Sequence, residues 1–333
     1  LPLEKDPPVL SCMKLFSSGK FNKGKKDSAY KIAVGLHGIG LVSCYALSDY
    51  MEMRIIRDNK LGIYKFDSVK GIKRKIEILP KKSKSGTRIT IYPSTKYFSS
   101  INLDMDIVRN RLLLASAEYE NLDIILTINN NTEHIKIDRD TFIKSVLLDS
   151  DEQDMELTDI FRFTDISESG EEYDITFFWL NDLSISRKIN LSSINLCILK
   201  EGAHFNKIQN DIISFFLQKG KTDKQSSKYS FYGQNILYGL RLFVDLKLIK
   251  ASYSEQSKKR LSNTSDMSIL ESFQDKLDKY FTKNRDKLEY LLERFQNISN
   301  KQINRKINRN TNVYTKLRDC NGSNGELFIV EGD

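Results

Sequence analysis

An α+β fold in two units is predicted by three features of the 333-residue sequence. Short runs of alternating apolar and polar residues end at Gly, Asn-Lys or Lys/Ser turns and are interleaved with segments of helical spacing. An acidic stretch over 148–154 separates two parts of this mixed kind. A three-four apolar repeat from Leu270 to Ile298 then marks a long amphipathic helix in the second part. The length agrees, because one hydrophobic core seldom grows past roughly 250–300 residues.

In the first part, a short apolar stretch at Cys12–Phe16 precedes a Gly/Lys/Ser-rich loop, SSGKFNKGKKDS (17–28). The glycine-broken segment AVGLHGIG follows. It runs into LVSCYALSDYME, where Leu41, Cys44, Tyr45 and Leu47 have helical spacing. Four alternating strands come next, MRIIRD, GIYKFD, KRKIEIL and RITIYPS. Ile107–Ala117 has a helical period, and Leu122–Ile128 reads as a buried strand. In the second part, EEYDITFFWL is a strand, EGAHFNKIQNDIISFFLQKG opens a helix after a glycine, and LYGLRLFVDLKLI is a long apolar strand. The Leu270–Ile298 repeat has one weak step, at Asn284. The segment NGELFIVEGD is an apolar strand ending at an acidic Gly turn.

Composition removes several classes. With 40% apolar residues, 10% aromatics and 5 prolines, the chain can build cores and is not of disordered type. No run approaches the roughly 20 apolar residues of a membrane span, and LPLEKDPPVLSC is expected not to be a secretory leader. Cys12, Cys44, Cys197 and Cys320 form no CxxC pair, which excludes a zinc ribbon and fits reduced thiols in a cytoplasmic protein. The net charge of +8 is unevenly placed, with basic runs at Lys70–Lys84 and Lys301–Arg309. Such runs either track a polyphosphate or form solvated faces.

The strongest local signal is Gly35-Leu36-His37-Gly38-Ile39-Gly40 entering a helix. Glycines at this density allow close backbone approach, and a helix N-terminus offers free N–H groups and partial positive charge. The segment is therefore a phosphate cradle or a glycine-rich turn. It is not a dinucleotide fingerprint in proper context, and no Gly-Lys-Ser/Thr follows to make a Walker A loop.

Five segments in order resemble the ATPase (B) subunit of type IIA DNA topoisomerases: gyrase B, topoisomerase IV, and the eukaryotic and phage enzymes. SSGKF with Tyr30-Lys31-Ile32 and GLHGIG is similar to the ATP lid of the wider gyrase, chaperone, histidine kinase and MutL superfamily. SGTRITIYPS (85–94) resembles the family's Gly-Thr strand, and Glu201-Gly202-Ala203-His204 its Gly-Gly-Thr-His helix start. YSEQSKKRL (253–261) resembles its Phe-Ser-Gln-Thr-Lys loop, and ELFIVEGD (326–333) the opening strand of its Toprim domain. The last two separate topoisomerases from a MutL- or chaperone-like ATPase. Within the matches, Glu201, Ala203 and Ser257 depart from the family's residues.

The resemblance implies an incomplete ATP-binding α/β sandwich over 1–150, a transducer domain of split βαβ type over 151–318 with a long C-terminal helix, and the start of Toprim over 319–333. It implies ATP and Mg²⁺ as cofactors. Lys20 would reach the phosphates, Tyr30 would contact the nucleotide, and the amides of Gly35, Leu36, His37, Gly38, Ile39 and Gly40 would hold the phosphate chain. Thr87 would lie under the adenine. Gln256 and Lys258 would reach the γ-phosphate from the second domain. Outside the family, Lys258 reads as a surface lysine, and His37 and His204 read as structural. Glu331 would belong to a Toprim metal site whose partner acids lie beyond Asp333.

The implied partners are double-stranded DNA, a second copy of the ATPase domain and a breakage-reunion subunit or domain, with no membrane. The family's Glu-x-x-Asp-Asn helix and adenine-binding Asp-x-Gly-x-Gly-Ile segment are not found. The expectation is therefore a central fragment that does not turn over ATP by itself. A non-catalytic relic that keeps the fold is the other reading.

Overall fold

The computed structural model describes residues 2–15, 17, 38–80, 83–221, 229–249, 251–254, 260–261 and 268–313. The first described unit is a four-stranded antiparallel sheet built from β1 (Ser48–Arg57), β2 (Lys60–Asp67), β3 (Gly71–Ile78) and β4 (Gly86–Pro93), in the order β3-β2-β1-β4. Asp58 and Asn59 take positive φ at the β1–β2 turn, the conformation a tight hairpin requires. Met51 and Met53 lie opposite Phe66 and Tyr64, so one face is apolar. Helices α1 (Pro7–Met13) and α2 (Ile39–Ala46) pack on it through Val9, Cys12, Leu41, Cys44 and Tyr45.

Helical spacing predicts a helix through Leu47 and alternation predicts a strand from Met53, but β1 already begins at Ser48. Ser48 is the pivot: its hydroxyl donates to the Cys44 carbonyl, closing the helix end as the strand starts.

The second sheet has five strands: β7 (Phe161–Ile166), β8 (Glu172–Trp179), β9 (Ile189–Ile194), β10 (Cys197–Leu199) and β12 (Leu240–Lys247). Their order is β10-β9-β12-β8-β7. Only β9 and β12 run parallel, joined by a crossover through α5 (Ala203–Gly220); the other pairs are antiparallel. Strand β8 is covered on both faces. Tyr173, Ile175, Phe177 and Trp179 point to one layer, containing α5, the single turn α6 (Gly233–Ile236), α7 (Phe273–Lys283) and α8 (Arg285–Val313). Phe178 and Leu180 point to the other, with α3 (Met105–Glu118) and α4 (Arg139–Leu147).

The first layer is aromatic-rich. Phe161 lies 5.3 Å from Phe281 and 6.1 Å from Trp179, centroid to centroid. Such tilted pairs contribute about 0.5–1.5 kcal/mol beyond their buried area.

Three expectations are corrected. The repeat from Leu270 to Ile298 is not one helix: a 3₁₀ turn (Ser268–Ser272) leads into α7, and the chain breaks at Asn284 before α8. Asn284 leaves helical geometry at φ −118, ψ 63, and its side-chain amide caps the Tyr280 carbonyl at 2.8 Å. The segment read as a buried strand at Leu122–Ile128 is β5 (Ile124–Ile128), an only half-covered arm of a hairpin with β6 (Asn131–Ile135). The stretch LYGLRLFVDLKLI is a strand only from Leu240, because Gly239 turns the chain at φ 70.

Candidate functional site

Of the residues assigned to a nucleotide site, Gly38, Ile39, Gly40 and Thr87 are described. Gly38 is the N-cap of α2 in left-handed conformation (φ 66, ψ 23), which glycine adopts without a Cβ penalty. Among the described residues no side chain caps this end, and a Cβ placed on Gly40 would meet nothing within 4 Å. Thr87 is exposed and sits opposite Ile55, on the sheet face that carries Met53 and that α2 covers. The strand that carries Thr87 thus belongs to the sheet whose apolar face α2 covers. Lys20, Tyr30, Gly35, Leu36 and His37 lie outside the described residues.

The second constellation is the base of the 255–259 loop. Tyr253 and Leu261 form an antiparallel bridge, and the Ser254 N–H donates to the Arg260 carbonyl at 3.0 Å. The short parallel pair β11 (Glu201–Gly202) and β13 (Arg260–Leu261) fixes this base beside the start of α5. Two of the sequence motifs, 201–204 and 253–261, are therefore neighbours. Gln256 and Lys258 lie outside the described residues, as does Glu331.

His204 is fully buried under this junction, with Nε2 2.9 Å from Ser192 Oγ and Nδ1 without a hydrogen-bond partner among the described residues. Burial pushes its pKa down to about 4, so the ring is neutral. Gly202 has φ 154, and a Cβ there would lie 2.5 Å from the His204 ring. That contact gives a packing reason for glycine at this position. Sequence reasoning does not single out Ser192, because LSSIN carries no strand alternation when buried on both faces. Among the described residues no group of three or more His, Cys, Asp or Glu could hold a metal ion, and no helix is long and apolar enough to cross a membrane.

The α+β fold is that of known ATPase domains. The 43K ATPase domain of Thermus thermophilus gyrase B, solved with an aminocoumarin, superposes with a TM-score of 0.60 at 17% identity, covering 81% of this chain and 74% of that one. The ATP-binding domain of Francisella tularensis topoisomerase IV gives 0.58 at 22% identity, covering 81% and 75%.

The family model described as DNA gyrase B matches residues 129–311, more than half of the chain. The chain belongs to the DNA gyrase B family of type IIA topoisomerase subunits. Among curated relatives, the topoisomerase 4 B protein of Francisella tularensis is 28% identical over 96% of this chain and 52% of its own length. The gyrase B protein of Rickettsia bellii is 26% identical over 96% and 41%. The chain thus spans about half, or less, of the relatives it matches.

Proposed function

We propose that the chain is part of an ATP-dependent type IIA DNA topoisomerase, in which it binds ATP and couples hydrolysis to passage of double-stranded DNA. Residues 1–150 belong to the ATP-binding unit, 151–318 to the transducer and 319–333 to the start of Toprim. The observation that carries this reading is the pairing of β11 with β13. It sets Arg260 and Leu261, which follow the Gln256 and Lys258 segment in sequence, beside the head of α5, and in this reading a pull on that segment reaches the second sheet through α5.

In this reading the amides of the Gly35–Gly40 segment hold the phosphate chain, with Lys20 and Tyr30 closing over the nucleotide and Thr87 beneath the adenine. Lys258 donates a charge-assisted hydrogen bond to the γ-phosphate, and Gln256 orients beside it. Such a bond is worth about 1.5–3 kcal/mol and is lost when the phosphate leaves. Bound ATP would supply the γ-phosphate that makes the contact switchable, and Mg²⁺ would neutralise the phosphate charge. A second copy of the ATPase domain, a breakage-reunion subunit and cytoplasmic DNA complete the proposed assembly.

The test is ATP hydrolysis by the full-length gene product containing this chain, assayed with its breakage-reunion partner and plasmid DNA. Lys258→Ala is expected to lower turnover about 10- to 100-fold with an unchanged circular dichroism spectrum. Equal rates for variant and wild type would overturn the role of Lys258. A wild-type protein unable to change DNA linking number with ATP would overturn the function itself.

A further inference from the structure

One cavity of the described structure lies away from the residues assigned to the nucleotide site. It has a volume of about 910 Å³ and lies between the end of α3, the β6–α4 junction and the polar end of the second sheet. Cross-strand register explains why that end is polar. On the face covered by α3 and α4, Thr164, Asp174, Asp245 and Ser193 form one row across β7, β8, β12 and β9. The helices cover the apolar rows beyond, around Phe243 and Phe178, and leave Thr164, Asp174 and Asp245 facing the cavity.

Two aspartates thus stand directly opposite each other, an arrangement that costs stability unless charge is balanced. Asp174 is balanced: Arg162 donates to it through two nitrogens at 2.6–3.1 Å, and Arg139 lies 3.2 Å away. Asp245 is not. It is 5% exposed, lines the cavity and has no ion pair among the described residues. Arg139 is held by Glu118 as well as Asp174, and Lys247 by Glu172 at 2.7 Å. Burial first, and the Glu118 charge second, push the Asp245 carboxyl up to about 7; Arg139, Ser193 and Lys247 offset only part of this.

The rest of the lining has the same bias, with seven carboxyls against four cations. Glu120 and Asp138 are exposed lining residues and have no ion pair among the described residues. Ala117, Ile137 and Ile166 supply apolar wall between these acids. The volume suits a small organic molecule rather than a bare ion. A ligand matched to these walls carries several separated positive charges joined by methylenes.

We propose that this cavity binds a linear aliphatic polyamine, with one ammonium on the Asp245 carboxylate, further ammoniums toward Glu120 and Asp138, and its methylenes along Ala117, Ile137 and Ile166. The bound cation replaces the missing partner of Asp245 and ties α3 and α4 to the sheet. The site does not depend on the nucleotide reading.

Calorimetric titration of the chain with spermidine at about 0.15 M salt, above pH 7, tests the proposal. One saturable site is expected, weakened about tenfold or more by Asp245→Asn and about threefold by Glu120→Gln. Magnesium chloride at matched ionic strength is expected not to displace the amine. Absence of saturable binding, equal affinity in Asp245→Asn, or full displacement by Mg²⁺ would each overturn it. If Asp245→Asn fails to fold by circular dichroism, the double variant Glu120→Gln/Asp138→Asn takes its place, and unchanged affinity there overturns the proposal equally.

Discussion

Replacing Arg241 by methionine tests how the acidic stretch after α4 is held. Arg241 on β12 is fully buried, and its guanidinium binds the carboxylate of Glu152, itself 5% exposed. It also donates to the Arg187 carbonyl at 2.8 Å. Glu152 in turn accepts the Asp149 N–H at 3.1 Å, and Arg187 pairs with Asp149 at 2.7 Å. Burial opposes the charge on Glu152. The Arg241 hydrogen bond, the Asp149 N–H and the charges of Arg241 and Arg187 outweigh it and leave the pKa lowered.

Removing one member of such a pair strands the other charge, at a cost of about 3–5 kcal/mol. With a urea dependence of about 1–3 kcal/mol per molar, the midpoint should fall by roughly 1–5 M. The single tryptophan, Trp179, is buried opposite Leu240, next to Arg241 along β12, so its fluorescence reports this transition. Arg241→Met/Glu152→Leu should recover most of the loss, because two apolar side chains leave no stranded charge. A single variant within about 1 kcal/mol of wild type, or a double variant no better than the single, would refute the argument.

Two further predictions concern pH, with opposite signs. Asp245 titrates near 7 when folded and near 3.8 when unfolded, so the folded state holds the extra proton. Its contribution is greatest below about pH 4 and declines until about pH 7. Asp245→Asn should therefore be more stable than wild type at pH 8, by at most about 4 kcal/mol, and nearly equal at pH 4; denaturant melts at both values check this. His204 is the reverse case: unfolded it titrates near 6.5, folded near 4. Its penalty grows as pH falls through that window, and His204→Gln should flatten the acid limb of the stability profile. An unchanged acid limb would show that His204 opens to solvent before global unfolding.

How much is legible in the sequence depends on whether each element faces one environment or two. Strands β1 to β4 alternate because one face of the sheet is covered, and the β1–β2 and β2–β3 turns carry Asn59 and Gly71 at positive φ, so period and punctuation agree there. Strands β7, β9 and β10 escape a reading by period. Strand β9, with burial on nearly every residue, shows no alternation in LSSI, and the β9–β10 turn is made by Asn195 and Leu196 at positive φ, where leucine gives no warning. Asn284 looks like a flaw in a helix because spacing is blind to a side chain that caps the preceding turn. At the site, the glycines before α2 announce themselves. The Asp174–Asp245 opposition cannot, because two acids 71 positions apart meet only through strand order.

The same strand order bears on where the molecule divides. The core under β1–β4 contains residues from Val9 to Ile72 and is separate from the two cores around the second sheet. Helices α3 and α4, which precede the acidic stretch in sequence, bury Leu114, Phe142, Ile143 and Leu147 against Phe178 and Phe243 of the second sheet. The acidic stretch is bolted to β12 through Glu152 and Arg241, whereas 95–104 has no strand or helix and exposes Lys96, Tyr97, Ile101 and Leu103. Of the proposed ATP-binding unit, residues 105–147 should accordingly move with the transducer sheet. Limited trypsin should cut after Lys96 and leave a fragment starting at Tyr97 that still melts cooperatively by Trp179 fluorescence. Glu-C, which cuts at glutamate, should spare Glu152 under the same conditions. Early cleavage at Glu152 with Lys96 intact would place the flexible joint in the acidic stretch instead.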